Sequence, residues 1–197
     1  MTQPLSDTAL DQLFRTARTY NHYTDEPVSE AQLHAIWDLM KMGPTSANQL
    51  PARLVWCVTQ DAKDRLATHA SGTNGPKIRA APVAVIVGMD VNFHEYLPEL
   101  FPHTDAKSWF DGNAELREAS AFRNSSLQGA YFILAARALG LDTGPMSGFD
   151  AGAVDKAFFA DQPGVRTNFI STLGHGDPST LFDRSPRPAF EKFNRIA

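Results

Sequence analysis

Four short stretches gather the side chains and backbone donors that could do chemistry: Arg18-Thr19-Tyr20-Asn21, Pro44-Thr45-Ser46-Ala47-Asn48-Gln49, Gly144-Pro145-Met146-Ser147-Gly148 and Arg184-Ser185-Pro186-Arg187. Taken singly, each has the composition of a turn or a cap. Two of them join a guanidinium to a hydroxyl, as an oxyanion requires, and two are Pro/Gly/Ser turns that expose backbone amides. Together they outline a ligand with an anionic end and a polar heterocycle. No protein nucleophile accompanies them, because the chain has no Gly-x-Ser-x-Gly elbow and no Ser-x-x-Lys that follows a strand and opens a helix.

Other chemistries fit poorly. Gly174-His175-Gly176 follows a strand pattern but lacks a third glycine and runs into Pro178, so it does not make a dinucleotide-binding turn. The histidines show no pair at metal-ligand spacing on one helix face, and His94 and His103 fall in a loop without an acidic partner placed to hold them. No metal is expected. The single cysteine, Cys57, lies in the apolar run Leu54-Val55-Trp56-Cys57-Val58 and reads as a buried structural thiol.

The elements that must position these stretches follow from periodicity. Ala9, Leu10, Leu13, Phe14 and Ala17 predict a helix over 8–18, and Leu33, Ile36, Trp37 and Met40 predict a second, opened by a Ser29/Gln32 capping box and closed before Gly43-Pro44. Residues 53–59 and 81–88 read as strands, the latter buried on both faces, with a short helix over 61–69 between them. The longest helical pattern runs over 115–140. Its second half, 127–139, is apolar or small almost all round, which predicts a centrally buried helix capped by Gly140. A short strand or loop over 141–145, a helix capped by Asp150 and a strand over 165–173 complete the order. The stretch 92–112 is the least regular and rich in aromatic residues, which predicts a lid or a partner surface.

The 197 residues are 43% hydrophobic and 20% charged, and they contain no repeat or linker. That predicts one globular domain spanning 1–197. The 18 Lys and Arg against 22 Asp and Glu give a net charge of -4, with no long basic run, so nucleic acid is not an expected partner. The longest apolar run, 80–89, is half the length of a membrane span. The N-terminal stretch 1–13 carries Asp7 and Asp11 and no basic region, unlike a secretory signal, and a cytoplasmic location is expected.

The stretches from Arg18 through Thr24-Asp25-Glu26-Pro27-Val28-Ser29 to Pro44 through Arg53 resemble the N-terminal signature of the FMN-dependent nitroreductase family. Gly43-Pro44-Thr45-Ser46-Ala47-Asn48, Leu100-Phe101-Pro102-His103, Ala121-Phe122-Arg123-Asn124-Ser125-Ser126 and Leu139 through Asp150 resemble its malonic semialdehyde reductase branch, of pyrimidine breakdown. The resemblance covers nearly the whole chain. It implies an α+β fold with a central, mostly antiparallel sheet flanked by helices, a long buried central helix and a domain-entwined homodimer. It also implies FMN, with NADH or NADPH as reductant and a small-molecule acceptor reduced in ping-pong fashion.

Carried over residue by residue, the family's basic-basic-hydroxyl start falls on Ala17, Arg18 and Thr19, and its C-terminal phosphate arginine on Arg187. Ser185 stands where a lysine is common, and Asn21 where a further arginine is, so the phosphate is left to Arg18 and Arg187. Ser46 and Asn48 match the segment that meets the flavin edge and ribityl chain from the second subunit. Asn74 and Lys77 match a pair at the pyrimidine edge. Pro145, Met146, Ser147 and Gly148 match the turn whose amide, here that of Ser147, reaches flavin N5. Phe101, His103, Trp109 and Phe110 fall in the lid, and Arg123 is the candidate for an acceptor carboxylate. No protein acid or base is required. Broader nitroreductase or quinone-type reduction, the family's bond-cutting branches, and a non-catalytic flavin-binding redox module are the competing readings.

Overall fold

The apolar run near residue 85 becomes strand β2 (Val83–Asp90), in which every residue is buried. It pairs antiparallel with β1 (Ala52–Cys57) on one side and β4 (Val165–Gly174) on the other, and β3 (Asp142–Met146) pairs antiparallel with β4 to give the order β1-β2-β4-β3. Alternation along β2 divides the core. Val83, Val85 and Val87 pack with Leu33, Ile36, Phe132 and Leu173, whereas Ala84 and Ile86 pack with Leu66, Ile78, Val154 and Ile170. The first face is therefore covered by α2 (Glu30–Met40) and α6 (Ala114–Ala138), and the second by α3 (Gln60–Ala67), α4 (Asn74–Ala80) and α7 (Ala151–Phe158). This is the α+β architecture expected. The computed structural model describes residues 3–197; Met1 and Thr2, the start of the stretch read as carrying no signal, lie outside the described residues.

Local rules hold where they are strong. The capping box opens α2: Gln32 N donates to Ser29 Oγ, and Ser29 N donates to Gln32 Oε1 at 2.8 Å. Cys57 is 1% exposed, and burial pushes its thiol pKa up to about 11. The N-terminal helix departs from expectation. It is a four-residue α1 (Asp7–Leu10) followed by a wide turn over Asp11–Arg15 closed by Thr16 N on Asp11 O, five residues back, and it ends before Arg18. Tertiary contacts take over its last carbonyls and polar side chains: Arg137 Nη1 donates to Leu13 O, and Gln12 Nε2 donates to Arg137 O. Helix α4 was hidden by Gly75 and Pro76, which its first turn tolerates because the N–H groups there have no intrahelical partner.

The stretch 92–112 is more ordered than its sequence suggests, with a 3-10 turn over Phe93–Tyr96, helix α5 (Leu97–Leu100) and another turn over Lys107–Trp109. Phe93, Leu97 and Phe110 are buried with Met89 and Ala121 in a third cluster, the rings of Phe93 and Phe110 meeting edge-on at 4.9 Å. His94 corrects a second expectation, since it is buried with Nε2 3.5 Å from Glu95 Oε1 and 3.6 Å from Asp111 Oδ1. Helix α6 is central but not enclosed. Phe122 and Leu127 stay 54% and 42% exposed, because one chain supplies a sheet for only one side of the rod. Among the described residues no helix is long and apolar enough to cross a membrane.

The outer edge of β3 is covered by the N-terminal segment, whose Tyr20 N donates to Thr143 O at 3.1 Å. A glycine is required at the crossing: a Cβ on Gly144 would stand 2.3 Å from Tyr20 O and 2.4 Å from Thr172 Oγ1. Gly144→Ala is expected to cost roughly 1–3 kcal/mol by overpacking. Its Tm should fall by about 2–4 °C per kcal/mol for a chain of this size. A Tm unchanged in differential scanning calorimetry would show that the segment is free to move off the strand.

Candidate functional site

Backbone hydrogen bonds bring the two ends of the chain to one place. Besides Tyr20 N on Thr143 O, Thr24 N donates to His175 O at 2.8 Å and Asp177 N to His22 O at 3.1 Å, which lays 19–24 beside β3 and the exit of β4. Two arginines then clasp the ends reciprocally. Arg18 Nη2 donates to Phe182 O, and Arg184 Nη2 donates to Ala17 O at 2.7 Å. Between them opens a cavity of about 410 Å³ whose polar lining includes Arg18, Thr19, Asn21, Arg137, Arg184 and Arg187.

The donor set of this cavity suits an oxyanion. Four guanidinium groups line it, and Arg137 Nε is buried with no partner among the described residues. Burial and the neighbouring Arg184 push the pKa of Arg137 down, with Asp142 opposing. An anion bound here would relieve both the repulsion and the orphaned donor. Arg18, Thr19 and Arg187 were legible in sequence. Beside Arg18 and Arg187 the structure brings Arg137 and Arg184 to the same cavity, the first visible in sequence only as the one charge in the apolar end of α6. Asp142 Oδ2 accepts from Gly176 N at 3.1 Å, yet burial raises the pKa of this carboxyl.

The third stretch spans the last three residues of β3 and the turn that follows them. Asn74 Nδ2 and Ser71 N both donate to Gly148 O, at 3.1 and 2.9 Å, so α4 is tied to the turn that follows Met146. Ser147 is exposed, and its N–H has no acceptor among the described residues. Pro145, Met146 and Ser147 form one wall of an open, largely apolar cleft of about 350 Å³, opposite Gly129, Ala130 and Phe169. Lys77 is half-buried. Neither Asn74 nor Lys77 lines this cleft, which offers apolar walls and the Ser147 N–H.

The second stretch sits elsewhere. Ser46 and Asn48 are exposed in a 3-10 turn (Ser46–Asn48), Ser46 N donating to Asn124 Oδ1 at 2.8 Å and Asn48 Nδ2 to Leu100 O at 2.8 Å. Asn124 and Arg137 are separated along α6 by about 20 Å at 1.5 Å per residue. Within one chain the turn and the arginine cavity are therefore distinct places. The turn is strained, with φ of 49° at Ala47, 50° at Asn48 and 38° at Leu50. Conformations of that kind cost about 1–3 kcal/mol each and persist only when the surroundings enforce them. Arg123 is exposed on α6 beside Phe122. Phe101 stacks edge-on with His103 at 5.4 Å and Trp109 at 6.1 Å near the surface, while Phe110 is committed to the core.

The model of the nitroreductase family matches residues 14–175, most of the chain. The chain belongs to the nitroreductase family. A relative from Burkholderia lata, named provisionally as an NADH dehydrogenase/NAD(P)H nitroreductase, is 62% identical over 192 residues and 98% of both chains. Among solved nitroreductase folds, a protein from Exiguobacterium sibiricum in complex with FMN superposes with a TM-score of 0.85 at 19% identity, over 100% of both chains. One from Staphylococcus epidermidis, described provisionally as an NAD(P)H:FMN oxidoreductase, gives 0.84 at 16% identity, again over 100% of both. The likeness to these two is one of fold.

The raised pKa of Asp142 makes a signed prediction for this nitroreductase. Because the folded state favours the protonated carboxyl, the stability gained by protonation is fully present below the unfolded pKa and lost as pH rises through the folded one. Asp142→Asn should therefore raise Tm at pH 7 by more than at pH 4, where more of the wild-type carboxyl is protonated. Equal shifts at both pH values in thermal melts would remove the assigned burial penalty.

Proposed function

We propose that this nitroreductase is an FMN-dependent NAD(P)H oxidoreductase that reduces a small carbonyl acid, malonic semialdehyde to 3-hydroxypropanoate. The observation that carries the cofactor assignment is the arginine cavity with its orphaned Arg137 Nε, and the largely apolar cleft next to Ser147 supports it. Arg18, Thr19, Arg187 and the two added arginines would hold the phosphate, while Asn74, Lys77 and the Ser147 N–H would meet the polar rim of the ring. Bound FMN supplies two-electron hydride transfer at N5, so that NAD(P)H, a proton and the aldehyde become NAD(P)⁺ and the alcohol. The chain's task is to bind, orient and keep the site dry. The branch-shared Arg123 would meet an acceptor carboxylate, and Phe101, His103 and Trp109 would cover the site.

Ser46 and Asn48 would complete the site from a second copy, which agrees with their distance from the arginine cavity. The exposed Phe122 and Leu127 of α6 supply apolar area for that contact. The purified protein is expected to carry about one FMN per chain. Arg18→Ala or Arg187→Ala removes a charge-assisted contact of roughly 1.5–3 kcal/mol and should weaken FMN retention by about ten- to hundredfold. Colourless protein that takes up no FMN sinks the assignment. Light scattering should give twice the chain mass, and a monomer with a complete FMN site would refute the shared-site reading.

The relative's name points to a second reading, broad nitroreductase activity. A panel of acceptors decides between them: malonic semialdehyde should be reduced with the highest kcat/KM, and Arg123→Ala should raise KM for it but not for an uncharged nitroaromatic. Preference for nitroaromatics would favour the second reading. Flavin that NADH bleaches but no acceptor reoxidises would instead mark a redox module. In the same panel, Phe101→Ala with Trp109→Ala should change acceptor kcat/KM by more than tenfold with flavin content intact. An unchanged preference would make these aromatics structural.

A further inference from the structure

One face of α6 is polar where a helix packed on a sheet would ordinarily be apolar. Ser120, Asn124 and Gln128, spaced by four residues, are 6%, 2% and 0% exposed. All three turn toward residues 46–52. Ser120 Oγ accepts from Gln49 Nε2 at 3.0 Å, Asn124 Oδ1 accepts from Ser46 N at 2.8 Å, and Gln128 Oε1 accepts from Ala52 N at 2.8 Å. Asn124 is fixed in turn by donating to Ser120 O at 2.9 Å.

The segment they grip is the strained one, with Ala47, Asn48 and Leu50 all in the left-handed region. Ala47 and Leu50 lack the side-chain chemistry that makes that region tolerable, so the conformation must be imposed from outside. Thr45 Oγ1 stabilises it locally by accepting from Leu50 N at 3.2 Å, but among the described residues the only grips from outside on its backbone N–H groups are those of Asn124 and Gln128. A buried amide offers an acceptor without a charge, which is what a backbone N–H requires at a site withdrawn from water.

We propose that Asn124 is a positioning residue, assisted by Gln128, that holds the strained turn 46–50 in the form that presents Ser46 and Asn48 to the cofactor. The inference rests on the reading that this turn meets FMN. It assigns a task to the middle of the block 121–126 that the carboxylate role of Arg123 does not explain. The grip also reaches the cover of the site, because Asn48 Nδ2 holds Leu100 O at the end of α5. Loss of Asn124 therefore loosens the turn first and the segment after α5 second, while the sheet and the arginine cavity stay as they are.

The test uses the full chain in two states. In ligand-free protein, Asn124→Ala should speed amide hydrogen exchange within 44–52 by at least about tenfold and leave β2 and β4 unchanged. In FMN titrations followed by flavin fluorescence, the same variant should weaken the dissociation constant by about tenfold, and Asn124→Asp, which places a charge at this buried site and loses the donor to Ser120 O, should not recover that loss. Ser125→Ala, buried on the same helix and facing Asn168, should move neither readout. Exchange unchanged in 44–52, or FMN affinity within twofold of wild type, overturns the proposal. If Asn124→Ala does not fold, the wild-type chain still decides: the Ser46 amide must be protected in the absence of FMN, and free exchange there overturns it. A wild-type chain that takes up no FMN ends the flavin reading, and the exchange experiment then judges the grip on the turn by itself.

Discussion

The structure is organised by one rigid rod. Helix α6 has 25 residues, about 37 Å of axis, and it reaches the strained turn, the apolar cleft and the arginine cavity. Its first half carries Arg123 and the buried amides facing the turn at 46–50. Its middle, at Gly129 and Ala130, forms a wall of the cleft opposite Pro145 and Met146. Its last turn sends Arg137 to Leu13 O and into the anion cavity. A rod packed on a sheet fixes the spacing of these stations more firmly than loops could, because displacing any one of them means moving Phe132, Ala135 and Ala136 out of the core.

Electrostatics add a second constraint. The chain is acidic overall, yet four arginines line one cavity. Arg18 and Arg184 are held there by backbone carbonyls, which orient a guanidinium without neutralising it. Asp142 sits close enough to influence Arg137 while its own burial disfavours the charged form. The cavity thus keeps a net attraction for anions, and the fold spends few ion pairs in suppressing it.

Much of this was legible in the residues. β2 announced itself by a continuous apolar run, α2 by its capping box, and α6 by length; each signal is local and strong. The short α4 was not, since Gly75 and Pro76 conceal a helix that tertiary contact with α3 completes. Periodicity carries the N-terminal helix too far because it cannot foresee that Arg137, far along the chain, claims a carbonyl of its last turn. Arg18, Thr19 and Arg187 could be named from their motifs. Arg137 could not, because a lone arginine on an apolar helix looks like a surface charge until the other end of the chain arrives beside it. The three positive φ values at 47–50 left no trace, as Ala and Leu give no hint of a left-handed backbone.

The reciprocal clasp joins residues 164 positions apart, Arg18 to the carbonyl of Phe182. That separation has a consequence in time. At about 5–20 residues per second, Arg18 precedes its partner Phe182 by ~8–33 s of synthesis. The strands and α6 can assemble as they emerge, but the anion cavity closes only after residues 182–187 have been made. Occupancy of the cavity is thereby a late event, and a chain cut short of residue 182 would lack half of the cradle.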